Sequence, residues 1–278
     1  MARKASPASA IGVPLDGSTS PLKVLYYGRH GTGKTTAAAL AASADTTGNV
    51  LVIDAEGGLK DRALADRGVE TDRIRRWPEP GQRITVEMLE ELHDNLREEL
   101  ESNPGSWYAV VFDSITELHL LMRENATAWR VARARVDVDP DEIDRNDYNR
   151  MTTQMRRIVR LFRDLPCHIV FTALERTEET GEIRPALSPA LAGDLMGYVD
   201  LVGRTAMVRG QSIARFEPTA NIHAKDRTNQ LPPILANPRF DRLVAIADGK
   251  LDPSSIADQV DFLDAEKASA TPNQSKED

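Results

Sequence analysis

The chain has 278 residues, of which 41% are hydrophobic, and its formal net charge is −8. A chain of this size can bury one large core. The acidic balance argues against binding nucleic acid through overall charge, although a local basic stripe would still permit it. The single cysteine excludes an internal disulfide. No segment approaches the roughly 20 consecutive apolar residues of a membrane span, so we expect a soluble cytoplasmic protein without a membrane partner.

The two ends of the chain differ in composition from its middle. Residues 1–20 are rich in Ser, Pro, Ala and Gly, and the residues after 265 are polar without periodicity. Such segments bury too little apolar surface to order themselves. We predict a flexible tail over 1–20, one folded domain over 21–250, and a short helix with a disordered tail over 251–278.

Short apolar runs alternate with helical patterns in the middle of the chain. Near-continuous apolar strands are typical of a parallel sheet that is covered on both faces. Leucines over 89–100 and apolar residues over 151–165 repeat at helical spacing and predict packed helices. After residue 195, Gly210 separates two hairpin-like strands. The sequence therefore predicts an α/β fold, with a mostly parallel central sheet flanked by helices and a C-terminal β-hairpin extension. The four predicted parallel strands are KVLYYG (23–28), NVLVID (49–54), WYAVVFD (107–113) and CHIVFTAL (167–174).

The stretch YYGRHGTGKTT matches the phosphate-binding pattern G-x-x-x-x-G-K-[ST], between a predicted strand and an Ala-rich helix. Glycines let backbone N–H groups surround the β-phosphate, and the helix N-terminus adds its positive dipole. Lys34 would neutralise the β and γ oxygens, and the Thr35 hydroxyl would bind Mg²⁺. We predict a nucleotide site formed by Gly28, Arg29, His30, Gly31, Thr32, Gly33, Lys34, Thr35 and Thr36.

Acidic residues follow two of the predicted strands. Asp113 ends the strand 107–113, where ligands of open α/β sheets gather, and we assign it to the metal together with Thr35. Ser114 would either help to fix Asp113 or the attacking water, or act as a simple helix N-cap. Asp54 and Glu56 likewise allow two interpretations: they either simply end the strand 49–54, or one of them activates a water molecule. A carboxylate at Glu56 would be able to orient water in line with the γ-phosphate.

The order of these motifs resembles that of the RecA-like recombination ATPases. Those proteins carry a P-loop, a strand ending in Asp-Ala-Glu and a strand ending in Asp-Ser; this chain has 28–35, 54–56 and 113–114. The resemblance implies a RecA-like P-loop NTPase core, ATP and Mg²⁺ as cofactors, and Glu56 as the catalytic carboxylate.

A Lys-x-Arg pattern, Lys225 and Arg227 in HAKDRTNQLP, resembles a motif of RecA-like ATPases and hexameric helicases. In those families the two cations reach the nucleotide of a neighbouring subunit, so the resemblance implies catalytic roles and a head-to-tail ring or filament. The alternative is a solvated basic turn.

Over about residues 20–245 the chain resembles the small RecA-like ATPases that bacteriophages use in single-strand annealing and recombination. The matching features are DYNRM, LPCHIVFTALE, YVDLVGR and AKDR. The resemblance implies single-stranded DNA and phage replication or recombination proteins as partners, in the host cytoplasm. Arg29 and His30 make the P-loop bulkier than usual, and Asp226 stands where related motifs often have Asn.

In RecA-like proteins two segments carry DNA-binding loops, which here correspond to 124–147 and 175–195. An aromatic residue among cations suits single-stranded DNA, although the acidic stretch DVDPDEIDRND lies in the same region. A nucleotide-gated adaptor or helicase-loader-like ATPase with slow hydrolysis is an alternative function. A small-molecule kinase fits less well, because no arginine-rich lid is apparent. The candidate DNA contacts are Trp129, Arg130, Arg133 and Arg135, with Arg156, Arg160 and Arg163 on the following helix.

Overall fold

The computed structural model describes residues 20–44, 46–133 and 144–256. The predicted N-terminal tail up to residue 19 and all but the first residues of the predicted C-terminal segment lie outside the described residues. Within 251–256 the chain forms one short 3-10 turn, Pro253–Ser255.

A single mixed sheet forms the centre of the described chain. Its order is β10-β8-β7-β1-β5-β4-β2-β3, with β6 paired to β5 and β9 to β7. The strands from β7 to β3 in this order run parallel, whereas β8, β10, β6 and β9 pair antiparallel. This confirms the predicted α/β fold with a mostly parallel sheet. The strands are β1 (Lys23–Gly28), β2 (Asn49–Asp54), β3 (Ile74–Trp77), β4 (Trp107–Asp113), β5 (His168–Thr177), β6 (Ile183–Pro185), β7 (Leu201–Val208), β8 (Gln211–Arg215), β9 (Lys225–Asp226) and β10 (Ile234–Ala236).

Helices cover both faces of the sheet, which is why its central strands are apolar throughout. One hydrophobic core lies under α3 to α6 and the other under α1 and α7. None of the helices in the described ranges combines the length and apolar character that crossing a membrane requires. The helices are α1 (Lys34–Ala39), α2 (Asp61–Ala65), α3 (Val86–Ser102), α4 (Ile115–Arg133), α5 (Arg145–Arg163), α6 (Pro189–Tyr198) and α7 (Phe240–Ala247).

The predicted hairpin is present, but it belongs to the central sheet. Arg209 and Gly210, with φ of 51° and 81°, form a two-residue turn between β7 and β8. Such a pair of left-handed residues matches the twist of the flanking strands. Because β7 also pairs in parallel with β1, the hairpin lies directly beside the P-loop strand.

The segment 175–195 is largely regular in structure, whereas the resemblance to RecA-like proteins implies a DNA-binding loop there. The end of β5 pairs with β6, and α6 then begins at Pro189. Similarly, 124–133 is the last part of α4. With only three residues, β6 is too short for its spacing to distinguish it from a loop by sequence.

Candidate active site

The P-loop follows β1 and leads into α1, as its sequence predicts. Gly33 has φ of 86° at the N-cap of α1, a left-handed conformation that favours glycine. A Cβ atom on Gly28 would lie 2.3 Å from the Thr205 Oγ1 atom, so the first glycine is required by the neighbouring strand β7. The loop is thus shaped by its own glycines and by the hairpin beside it.

Two side chains of the hairpin brace the P-loop. The hydroxyl groups of Thr32 and Thr205 lie 2.7 Å apart, and the Ser212 hydroxyl donates to the Thr32 carbonyl at 2.8 Å. Sequence reasoning missed Thr205 and Ser212, because only the pairing of β7 with β1 brings them to the loop.

The side chain of Lys34 folds back onto the P-loop. Its ammonium group donates to the carbonyl oxygens of Gly28 at 3.0 Å and Arg29 at 2.7 Å. Burial lowers the pKa of Lys34, while Asp113 and Glu56 oppose that shift. The cation is therefore held where phosphate oxygens are expected.

Asp113 is buried at the carboxyl end of β4, and its Oδ1 atom accepts a hydrogen bond of 2.6 Å from the Thr172 hydroxyl. Burial raises the pKa of Asp113, and hydrogen bonds from Thr172 and Thr35 oppose that shift. A carboxylate beside a hydroxyl group is a set of hard oxygen donors that fits Mg²⁺, which commonly uses one or two carboxylates plus substrate phosphates. Thr35 and Asp113 are thus suited to holding the ion.

The acids that follow β2 have separate roles. Asp54 accepts hydrogen bonds from the backbone N–H groups of Gly58 at 3.0 Å and Leu59 at 3.1 Å, and it pairs with Arg76 at 2.8 Å. Asp54 therefore stabilises the turn that follows β2. Glu56 instead borders the cavity above the P-loop.

Ser114 connects Glu56 to the start of α4. Its hydroxyl donates to the Glu56 Oε1 atom at 2.5 Å and accepts a hydrogen bond of 3.3 Å from the Glu117 backbone N–H. The residue thus acts as the helix cap and also fixes the candidate base, whereas sequence reasoning set its helix-cap role against a contact to Asp113 or the attacking water. The peptide bond between Asp113 and Ser114 is cis.

The cavity above the P-loop has a volume of about 450 Å³. Small-molecule sites are typically about 300–1,000 Å³, so a nucleotide can be accommodated. Its lining combines His30, Lys34 and Thr35 of the loop and helix with the acids Glu56 and Asp113.

A family model described as "AAA domain" matches residues 20–228, three quarters of the chain. The chain belongs to the AAA domain family. The match places the nucleotide motifs in an ATPase family with a P-loop, which supports nucleotide hydrolysis as the activity of the site. A search among curated proteins gave no match.

Arg29, one of the bulky P-loop residues of this AAA domain, is held outside the cavity lining. Its Nε atom lies 3.1 Å from the Glu175 carboxylate, which also receives two hydrogen bonds from Arg204. Glu175 and Arg204 are both buried, with side chains 4% and 6% exposed. These contacts join the P-loop to β5 and to the middle of β7.

Lys225 and Arg227 lie away from the nucleotide cavity of their own chain. Lys225 pairs with Val202 in the sheet, whereas Gly28 pairs with Thr205, which is three residues or about 10 Å further along β7. The Lys225 ammonium group binds the carbonyls at the end of α6, the shortest at 2.6 Å to Val199. Arg227 pairs with Asp200 at 3.0 Å.

The candidate DNA contacts are partly brought together at the end of α4. Trp129 is 41% exposed, and the guanidinium groups of Arg133 and Arg150 lie 4.2 and 3.6 Å from its ring centroid. Arg130 instead pairs with the buried carboxylate of Asp147 at 2.6 Å. Arg135 lies outside the described residues.

Two of the three arginines on α5 also have partners. Arg156 pairs with Asp194 at 2.5 Å, and Arg163 with Asp164 at 2.7 Å. Arg160 is exposed. The face of α5 is therefore less available to DNA than its sequence suggests.

Proposed function

We propose that this AAA domain is an ATP-hydrolysing protein of the RecA-like type that acts on single-stranded DNA in phage recombination or annealing. The order of the P-loop, Asp-Ala-Glu and Asp-Ser motifs supports the RecA-like assignment. The structure supports it further, because Glu56, Asp113 and Lys34 border one cavity.

Within this proposal Glu56 orients the attacking water, and the Ser114 hydroxyl keeps its carboxylate in place. Lys34 neutralises charge on the β and γ oxygens, and the P-loop N–H groups hold the β-phosphate. Mg²⁺ bound at Thr35 and Asp113 would stabilise charge on the same phosphates. Such a site transfers the γ-phosphate to water.

In this proposal the exposed surface at the end of α4 binds single-stranded DNA. We call it the tryptophan patch and define it as Trp129, Arg133, Tyr148 and Arg150. Trp129 and Tyr148 are each 41% exposed, and the guanidinium groups of Arg133 and Arg150 lie over the Trp129 ring. Exposed aromatic rings stack on bases and arginines neutralise phosphates, as proteins that bind single strands require.

The same helix connects this patch to the nucleotide. α4 begins directly after Ser114 and reaches Trp129 fifteen residues later, about 22 Å along the helix axis. A shift of Asp113 and Ser114 on hydrolysis would therefore be transmitted to the tryptophan patch through a rigid element.

We further propose that Lys225 and Arg227 serve the nucleotide of a neighbouring subunit in a head-to-tail ring or filament. Their distance from the P-loop of their own chain supports this arrangement over a role within one chain. Assembly would exchange their contacts at the end of α6 for contacts with phosphate oxygens.

The tryptophan patch is tested by replacing Trp129 with alanine. We expect the affinity for single-stranded oligonucleotides, measured by fluorescence anisotropy at low stated salt, to fall about tenfold, because stacking contributes roughly 1–3 kcal/mol per base. Arg133→Ala should also weaken binding, and Arg97→Ala, an exposed arginine on α3, should not. Equal binding by Trp129→Ala and the unchanged protein would contradict the proposal.

A nucleotide-gated adaptor is the second candidate. The pairing of Arg130, Arg156 and Arg163 with carboxylates favours it, because paired arginines leave fewer cations for DNA. An adaptor would hydrolyse ATP at a rate that DNA does not change but a protein partner does.

A further inference from the structure

One end of the nucleotide cavity has no role in the mechanism described above. In that mechanism the P-loop binds the phosphates, and the reacting water and the metal would lie near Glu56 and Asp113. The remaining lining consists mainly of Leu40, Arg67, Asn237 and Pro238, together with residues of the hairpin. By elimination this end faces the ribose and the base of a bound nucleotide.

We propose that Asn237 and Arg67 bind the nucleobase and make the site selective for adenine over guanine, an inference that rests on the proposed ATP-binding function. Asn237 and Pro238 lie beyond residue 228, the last residue of the AAA domain match. The base-recognition residue is thus supplied by the segment after β10.

Asn237 is fixed relative to the phosphate cradle. Its backbone N–H donates to the Ser212 carbonyl at 2.7 Å, and the Ser212 hydroxyl donates to the Thr32 carbonyl of the P-loop at 2.8 Å. The next residue is also anchored, because the Pro238 carbonyl accepts a hydrogen bond of 2.8 Å from the buried Tyr26 hydroxyl. A short chain of hydrogen bonds therefore sets the distance between this turn and the phosphates.

The side chain of Asn237 is available to a ligand. Among the described residues its amide has no hydrogen-bond partner, although it borders the cavity. An asparagine amide presents one donor and one acceptor, which matches the N7 acceptor and N6 donor of adenine. Guanine offers two acceptors, N7 and O6, along the same edge. The amide therefore favours adenine.

Arg67 lies at the same end of the cavity. Its NH1 group donates to the Thr36 hydroxyl at 2.8 Å, and the structure pairs it with no carboxylate in the described ranges. A planar guanidinium group stacks on aromatic rings. With the apolar side chains of Leu40 and Pro238, it would form a slot suited to a flat base.

The test replaces Asn237 with glycine. Asn237 has φ of 50°, and glycine adopts this left-handed conformation without strain, so the change removes the amide and keeps the turn. Asn229, which has φ of 54° and lies at the turn after β9, gives the matched control Asn229→Gly. Calorimetry would measure the Kd of each protein for ATP, GTP and inorganic tripolyphosphate, which has no base.

We expect the unchanged protein to bind ATP about tenfold more tightly than GTP. Asn237→Gly should raise the Kd for ATP about five- to tenfold, bring the ATP and GTP values close together, and leave the Kd for tripolyphosphate within about twofold. Asn229→Gly should leave all three values unchanged. Arg67→Ala should weaken ATP several-fold, whereas Arg62→Ala on the exposed part of α2 should not.

Two results would overturn the inference while leaving ATP binding intact. One is an unchanged Kd for ATP in Asn237→Gly, and the other is an equal loss of ATP and tripolyphosphate, which would indicate damage to the phosphate cradle. Failure of the proposed function looks different: the unchanged protein would bind no nucleotide, or Lys34→Ala would bind ATP equally well.

Discussion

At the scale of single residues, the site uses charged groups in positions that cost folding energy. Asp113 is buried and faces Glu56 and Asp54, while Lys34 is buried beside carbonyl oxygens. Burial opposes charge on both, which is shown by the raised pKa of Asp113 and the lowered pKa of Lys34. Bound phosphates and Mg²⁺ would supply the compensating charges. Such sites trade stability for function.

Replacing Asp113 with asparagine should therefore stabilise the free protein. A raised pKa means that the contribution of this carboxyl group to stability is present below the ordinary pKa of aspartate and is lost as pH rises through the folded-state value. The amide of the introduced asparagine carries no charge at any pH and still offers an oxygen to Thr172. We expect urea unfolding at neutral pH, without Mg²⁺ or nucleotide, to show a gain of roughly 1 kcal/mol.

The gain should disappear in acid, where Asp113 is protonated, and ATP hydrolysis by the variant should be lost at every pH. Asp66→Asn, a change at an exposed aspartate, provides the control. A variant that is less stable than the unchanged protein at neutral pH would show that the charged carboxylate supports the fold.

At the scale of elements, the sequence predicts best where a pattern is long or a motif is local. The strands 23–28, 49–54 and 107–113 coincide with β1, β2 and β4, because a strand buried on both faces must be apolar throughout. In contrast, β3 has the sequence IRRW and only partial burial at its ends, so it carries no comparable signal. Edge strands are defined by their neighbours and less by their own composition.

The same distinction applies to the site. The P-loop and the acids at the strand ends can be predicted, because each uses a short pattern in one element. Thr205, Ser212 and Asn237 cannot, because they reach the P-loop only through the pairing of β7, β8 and β10. For Arg130 the local pattern is misleading. Its position among other cations in the sequence suggests a DNA contact, but in the structure it pairs with Asp147 at the start of α5.

At the scale of the whole molecule, the two sets of catalytic candidates lie at opposite ends of the parallel strands. Glu56, Lys34 and Asp113 lie at the carboxyl ends of the parallel strands, and Lys225 and Arg227 lie beside the first residues of β7. A head-to-tail assembly would bring Lys225 and Arg227 of one subunit to the nucleotide cavity of the next. In the assembly that we propose, the site is therefore shared between subunits.

Mixing two inactive variants tests the shared site. Arg227→Ala subunits retain Lys34 in the P-loop, and Lys34→Ala subunits retain Arg227. In an equal mixture about a quarter of head-to-tail interfaces combine both intact groups, so we expect about a quarter of the original ATP hydrolysis to return. Arg227→Lys should keep more activity than Arg227→Ala. A mixture as inactive as its components would indicate that Arg227 acts only on its own chain, at Asp200 and the end of α6.

The most direct measurement is steady-state ATP hydrolysis with and without single-stranded DNA at low, stated salt, for the unchanged protein and for Glu56→Gln. We predict that DNA raises the rate of the unchanged protein, and that Glu56→Gln binds ATP but does not turn it over, because it lacks the carboxylate that orients water. Low salt is needed because contacts with DNA phosphates weaken steeply as salt rises. A rate that DNA leaves unchanged would contradict the DNA-dependent function, and turnover by Glu56→Gln at the original rate would remove Glu56 from the mechanism.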